Sequence, residues 1–373
     1  MTDLTQAREL SNNLDRGFYQ EARAKGYHPL AYLATLDPGD PAEGEVKAAQ
    51  CLARFGAQEG TAKGQAVRQY AEALPALERQ LRLHDIKVAG PRADTLEKFF
   101  ATSASTVLFP AYVESQILAG MLSASVFGDL VATETKIDSH TYESLYMAES
   151  EADRQLRVVG EGDALPETAI STSEHAVRLR KYGRLLKASY EALRLKRLNV
   201  VSVFLQRVGA QIAIDEVDAA LDVIVNGDGN DNALVAIASE ASGTLDYDEM
   251  LRLWLAFPEP YRMNVIVARD ANIRTLLNLE QFQNPLAGMK FQATGDMISP
   301  LGCKLHRWNA TVAADWVLGI DNRYCLEQVT EQGVTTESDR LIDRQLERTA
   351  ITKWTGFVKM DPAAAAAIDI THT

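Results

Sequence analysis

One stretch, Arg197 to Gly229, constrains this chain more than any other. It reads as a single helix that stops only at the turn-rich run Asn226-Gly227-Asp228-Gly229-Asn230-Asp231-Asn232. Val201, Phe204, Leu205, Val208, Ile212, Val217, Leu221, Ile224 and Val225 recur at threes and fours, the spacing of one apolar helix face. Asp215, Asp218 and Asp222 are also three and four apart, so they share a face of their own. Gly227 or Gly229 offers the left-handed residue that lets a helix end. At about 1.5 Å per residue the helix is roughly 45 Å long, so other elements must pack along all of it.

A chain of 373 residues that is 46% hydrophobic can bury a sizeable core, and its length predicts two or three folded parts. A net charge of -13 argues against tight electrostatic binding to nucleic acid or to an anionic membrane, because phosphate neutralisation needs a basic surface. Cys51, Cys303 and Cys325 are odd in number and scattered, which indicates neither a disulfide framework nor a cysteine zinc site and fits a reducing compartment. The start, Met1-Thr2-Asp3-Leu4, lacks the basic and apolar runs of a signal peptide, and no stretch of about 18 apolar residues runs free of charge. The expectation is a soluble, unexported product.

In chain order, helical spacing runs from Thr2 to Lys25, then over Glu45–Phe55 and Gln65–Leu83, and Gly90-Pro91 reads as a boundary. Between Leu96 and Thr141 an apolar cluster (Phe99, Phe100, Val107, Leu108, Phe109, Pro110) precedes a short amphipathic stretch, Val113–Leu122, and then strand-like Leu130–Ile137. Glu143 to Arg197 has halves of opposite charge. Glu143, Glu149, Glu151, Asp153, Glu161, Asp163, Glu167 and Glu174 dominate the first; Arg178, Arg180, Lys181, Arg184, Lys187, Arg194, Lys196 and Arg197 dominate the second. Turn residues between them predict a two-armed hairpin, which is marginal alone and must lean on another surface. The alternative is a solvated loop of mixed charge. After the long helix come helix Thr244–Leu255, strand Asn264–Ala268, helix Ala271–Leu279, strands Met297–Trp308 and Trp316–Ile320, extended runs Arg323–Val329 and Arg348–Phe357, and the alanine-rich Pro362–Ile368.

Signs of catalysis are sparse. Gly160-Glu161-Gly162 and Gly227-Asp228-Gly229 lack the third glycine of a nucleotide loop and are acidic. Asp228, Asn230 and Asn232 lack the glycine and glutamate of a calcium loop and read as turn formers. The six histidines are isolated, and no nucleophile motif is present. Asp215, Asp218 and Asp222 could gather a divalent ion, but the basic arm Arg178–Arg197 offers them a better partner, from the same chain or a neighbour.

Specific words in the sequence carry a resemblance: Gly162-Asp163-Ala164-Leu165-Pro166, Val177-Arg178-Leu179-Arg180-Lys181-Tyr182-Gly183-Arg184, Ser189-Tyr190-Glu191, Gln211-Ile212-Ala213-Ile214-Asp215-Glu216 and Asn226-Gly227-Asp228-Gly229. Together they resemble the major capsid proteins of tailed bacteriophages. The resemblance implies an α+β chain with the Hong Kong 97 type fold. Its parts would be a helical, scaffold-like N-terminal segment (1–90), an N-arm (91–142), an extended hairpin or E-loop (143–196), the spine helix of the P-domain (197–240), an A-domain (241–322) and returning P-domain strands (323–373).

It also implies a non-enzymatic shell subunit that forms pentamers and hexamers around double-stranded DNA, assembled in the host cytoplasm for the virion. Portal, scaffold, protease or decoration proteins would be partners, and no cofactor, metal or membrane is implied. Arg178, Arg180, Lys181, Arg184 and Lys187, with Asp215, Asp218 and Asp222, become the expected assembly contacts. Lys181 and Lys187 lie where some relatives place a cross-linking lysine, but no asparagine or glutamate here matches its partners. An encapsulin-like shell and a metal-dependent enzyme using the Asp215 face are the alternatives.

Overall fold

The long repeat after Arg197 folds as one helix in the computed structural model. The structure describes residues 7–371, except 9, 11–13, 15–16, 26, 28, 39–40, 60, 125, 144, 147–157, 160, 162–170, 173–175, 190–195, 241, 284–300, 309–310 and 342–345. Its helices and strands begin with α1 (Gly17–Ala24), α2 (Pro29–Leu36), α3 (Pro41–Phe55), α4 (Ala62–Leu83), α5 (Ser103–Ala124), β1 (Thr133–Lys136), β2 (Thr141–Tyr142), β3 (Leu145–Tyr146), β4 (Ser171–Thr172), β5 (Val177–Arg178) and β6 (Arg180–Ser189). They continue with α6 (Leu198–Asn226), β7 (Ala236–Ala238), α7 (Tyr247–Leu255), β8 (Val265–Ala268), α8 (Asp270–Leu277), α9 (Glu280–Gln283), β9 (Lys304–Arg307), β10 (Trp316–Ile320), β11 (Leu326–Leu341), β12 (Leu346–Lys359) and β13 (Ala365–Asp369).

The chain divides into two units. Met1–Gly128, Arg180–Val217 and Gln332–Thr355 form the first; Asp129–Leu179, Asp218–Glu331 and Gly356–Thr373 form the second.

In the first unit the alanine- and leucine-rich N-terminal sequence makes helices because those residues lose little freedom in them. Pro41 opens α3, where its missing N–H costs nothing, and Thr61 caps α4 by accepting from the Gly64 amide at 3.0 Å. Their inner faces meet α5 in one core that includes Leu33, Val67, Phe99, Ile117 and Leu198. Gly90-Pro91 therefore does not divide an independent helical segment from the rest of the unit. Ile86 and Leu96 on either side belong to the same core, the Leu198 amide donates to the Asp94 carbonyl at 2.9 Å, and Thr95 bridges to Arg197.

Several sequence expectations are corrected here. The cluster ending at Pro110 and the stretch Val113–Leu122 are one helix, α5, which carries Pro110 in its interior. Residues 104–124 are also long and apolar enough to cross a membrane, but 67% of that window is buried by protein, so α5 is a core helix. The run Thr2–Lys25 is broken, since Leu14 lies outside any helix and α1 begins at Gly17. Phe204, expected on the buried stripe, is 56% exposed; Leu198, Leu205, Val208, Gly209 and Ala213 are buried in this part of α6.

Two glycines fix how α5 and α6 meet. A Cβ on Gly120 would stand 2.0 Å from the Gln206 carbonyl oxygen, and one on Gly209 would stand 2.0 Å from that of Ile117. The helices thus touch backbone to backbone. The Gln206 side chain donates to Gln116 Oε1 at 2.9 Å, and the Tyr112 hydroxyl donates to the Leu198 carbonyl at 3.2 Å. In the same unit β6 pairs antiparallel with β12 from Arg180↔Thr355 to Ser189↔Leu346.

The second unit holds a five-stranded mixed sheet in the order β7-β13-β10-β8-β9. β8 reads Val-Ile-Val-Ala because all four residues are buried, and α7 and α8 cover the sheet through Met250, Leu253, Ile273 and Leu276. Asp246 caps α7 by accepting from the Glu249 amide at 3.0 Å. Of the stretch expected as strand Met297–Trp308, residues 297–300 lie outside the described residues and Lys304–Arg307 is the strand. The alanine run 365–367 becomes β13, where pairing with β10 and β7 overrides alanine's weak strand preference. β1 runs parallel to the start of β11, Thr133↔Glu327 to Lys136↔Thr330.

Of the expected hairpin, the base is present: β2 pairs antiparallel with β5, and β3 with β4. Residues 162–166, which carry part of the resemblance, lie outside the described residues, as do 190 and 191.

Gly209→Ala tests the helix crossing. Alanine favours an isolated helix by about 1 kcal/mol, yet here overpacking should cost about 1–3 kcal/mol. Denaturant unfolding should show a net loss for Gly209→Ala and Gly120→Ala, with no loss at Gly44, where a Cβ meets nothing within 4 Å.

Candidate functional site

The residues singled out in the sequence gather on β6 and along α6. In the first unit, β6 places Arg180, Lys181, Arg184 and Lys187 in solvent beside their β12 partners Thr355, Trp354, Ile351 and Arg348. The Lys181 ammonium lies 5.5 Å from the centre of the Trp354 ring, close enough for a cation–π contact. Tyr182, between these cations, is half-buried. Burial raises its hydroxyl pKa; Arg180 opposes that, and the charges of Glu216 and Asp215 add to it. Tyr182 thus lies within electrostatic reach of the acidic part of α6. Arg178 belongs to the second unit, exposed on β5 opposite Thr141. Among the described residues none of these five cations has a carboxylate within ion-pair distance.

The three aspartates do not converge. Asp215 is exposed and accepts from the Gln211 amide at 2.9 Å. In the second unit, Asp218 accepts from the Trp308 indole N–H at 2.5 Å and the Thr311 hydroxyl at 3.1 Å. Asp222 accepts from the Asn226 amide at 2.7 Å. Each carboxylate thus has its own neutral donor, an arrangement that orders the side chains separately. Among the described residues no group of three histidines, cysteines or acids could hold a metal ion.

The acid that matters inside the first unit was not singled out in the sequence. Glu216 is buried and pairs with Lys353 of β12 at 2.7 Å, with side-chain exposures of 6% and 13%. A signal was available. Glu216 stands four residues after Ile212 and four before Ala220, on the register of the apolar face, where a charge must have a buried partner.

A second missed residue ends the helix in the second unit. Lys359 on β12 is 3% exposed, and its ammonium donates to the carbonyls of Ile224 at 3.1 Å and Asn232 at 2.7 Å. Burial lowers its pKa, while Cys325, Asp228 and Asp361 pull the other way. Ile224 lies in the last turn of α6, where carbonyls lack helical partners, so the lysine satisfies both their hydrogen bonds and the negative end of the helix dipole. Gly227, at φ +83°, then turns the chain away. The Asp228 carboxylate accepts from the Asn230 and Lys359 amides, and Asn232 accepts from the Asp228 amide, which makes 226–232 a hydrogen-bonded turn.

The long helix, strands β1 to β8 and nearly all of α5 lie within a match to the phage capsid family over residues 105–298, just over half of the chain. The chain belongs to the phage capsid family. As a member of that family it is a structural shell protein of the bacteriophage virion, and its mixed α+β architecture is the class expected from the sequence. No curated protein sequence matches it.

Among solved structures, the capsid of a native GTA particle is 16% identical with a TM-score of 0.49, covering 65% of this chain and 88% of that one. A virus-like particle from Pyrococcus furiosus is 10% identical with a TM-score of 0.48, covering 70% and 99%. Microbacterium phage Oxtober96 is 11% identical with a TM-score of 0.48, covering 66% and 91%.

Lys353→Met should leave the Glu216 charge buried and unpaired, lowering stability by about 3–5 kcal/mol. The double variant Lys353→Met with Glu216→Leu should recover most of that loss in denaturant unfolding. Equal losses in single and double variants would assign the effect to packing.

Proposed function

We propose that this capsid protein assembles through pentamers and hexamers into a closed icosahedral shell enclosing double-stranded DNA. The family match across α5, the hairpin base, β6 and α6 carries this reading. On it, α6 is the spine helix of a Hong Kong 97 type fold, residues 143–196 are the E-loop, and 241–322 form the A-domain. Residues 1–90 are a helical, scaffold-like segment.

The exposed cations of β6 support the assembly role. Arg180, Lys181, Arg184 and Lys187 on β6, and Arg178 on β5, are exposed and available to acidic groups of an adjoining copy. Of the helix acids, Asp215 is the exposed one and the natural counter-charge; Asp218 and Asp222 set the ordered surface beside it. Such charged contacts favour correct, reversible docking over tight adventitious binding. The net charge of -13 suits a container that must hold DNA without adsorbing it. Portal, scaffold, protease and decoration proteins would complete the assembly in the host cytoplasm.

Electron microscopy of purified assemblies tests the reading. Shells filled with DNA in infected cells support it; shells enclosing a protein cargo would favour an encapsulin-like compartment; a persistent monomer would overturn it. Replacing Arg180 and Arg184 together by glutamate should cut particle yield at least tenfold while the circular dichroism of the subunit stays unchanged. Undiminished yield would remove these residues from the contact.

A further inference from the structure

Glu114 stands in the middle of α5, fully buried, on a helix whose other buried residues are mostly apolar. Its carboxyl Oε2 accepts from the Leu30 amide at 3.3 Å. Leu30 is the second residue of α2, behind Pro29, which has no N–H, so this amide is the first free donor at the positive end of that helix. From α1, Tyr19 faces the same place; its hydroxyl donates to the Val107 carbonyl of α5.

The described charged groups on elements packed nearby are engaged elsewhere. Glu21 of α1 and Lys25 just after that helix each meet the Tyr32 hydroxyl of α2 at 3.0 Å, Arg79 of α4 pairs with Asp37 at 3.1 Å, and Arg207 of α6 is exposed. From β11, Thr336 donates to the Pro110 carbonyl at 3.5 Å. Among the described residues no cation reaches Glu114.

We infer that Glu114 is a protonation-controlled latch holding α1 and α2 against α5. A buried carboxyl with one amide donor and, among the described residues, no cation is stable as the neutral acid. Burial pushes it up to about 8, against 4.5 for the free side chain, with the Leu30 amide opposing. Once α1 and α2 lift away, water reaches the group and its ordinary acidity returns. Between these two values the docked arrangement binds one proton more than the open one, so raising the pH favours opening across that window. Below it both forms are protonated and the latch is at full strength. Above about 8 both are ionised, and the loosening levels off.

Hydrogen exchange on the full-length chain from pH 5 to 9, corrected for intrinsic amide rates, reads this directly. Protection of α1 and α2 relative to α4 should fall by up to about tenfold per pH unit and flatten above 8. In Glu114→Gln, neutral at every pH, the ratio should stay constant. A constant ratio in the wild type, or the same fall in Glu114→Gln, would overturn the latch.

If Glu114→Gln does not fold, infrared spectroscopy of the wild type decides. Glu114 is the one carboxyl among the described residues with a raised pKa, the other shifted carboxyls, Asp94, Asp129 and Asp321, being lowered. A protonated-carboxyl band at pH 7 that fades near pH 8 and vanishes on unfolding supports the latch; its absence at pH 7 rules it out.

Discussion

The first unit depends on a backbone contact. Gly120 and Gly209 remove two side chains where α5 and α6 cross, and the carbonyls of Gln206 and Ile117 occupy the space. Helix axes ordinarily stay 8–10 Å apart, held off by the side chains between them. Here that separation is given up, and the gain is a crossing that admits only one placement of α6. The Gln116–Gln206 and Tyr112–Leu198 hydrogen bonds then fix its register, because polar groups brought this close must pair or lose solvation for nothing. The N-terminal helices pack on the α5 that results, and their core is continuous with it.

Charge inside the protein does three different jobs. Glu216 and Lys353 neutralise each other, joining α6 to β12 within the first unit. Lys359 is buried against carbonyls, so its charge is matched to a helix end. Glu114 has, among the described residues, an amide and no cation, and answers burial by holding its proton. Burial penalises each ion alike, and the outcome differs because the nearest donor or acceptor differs.

Much of the fold was legible in the sequence where periodicity and punctuation agreed. The apolar repeat and the glycines after Asn226 located α6 to within a few residues, and Trp316–Ile320 was read to the residue. Reading failed where one signal hid another. The apolar cluster ending at Pro110 and the amphipathic stretch after it stood apart, yet a single proline inside a long buried helix is tolerated when packing on both sides holds it. Phe204 fitted the apolar spacing, yet position on a helix tells which residues share a face and not which face finds a partner. The candidate site was legible as composition and not as geometry. The aspartates stood out as a trio, while the buried acid was their neighbour Glu216. Its partner, Lys353, lies 137 positions along the chain (353 − 216 = 137), a distance no local pattern spans.

β6 ends the order of its sheet, so one of its edges is unpaired among the described residues. A bare strand edge is a template for another chain, and a subunit made in many copies meets its own edge constantly. Four cations along ten residues make two such edges repel when they meet in like register. On the proposed assembly role, the strand is thereby closed to its own kind and open to an acidic surface. A dense solution of subunits can stay dispersed, without growing ribbons, until the complementary surface arrives, and the ionic strength of the medium sets how firmly that refusal holds.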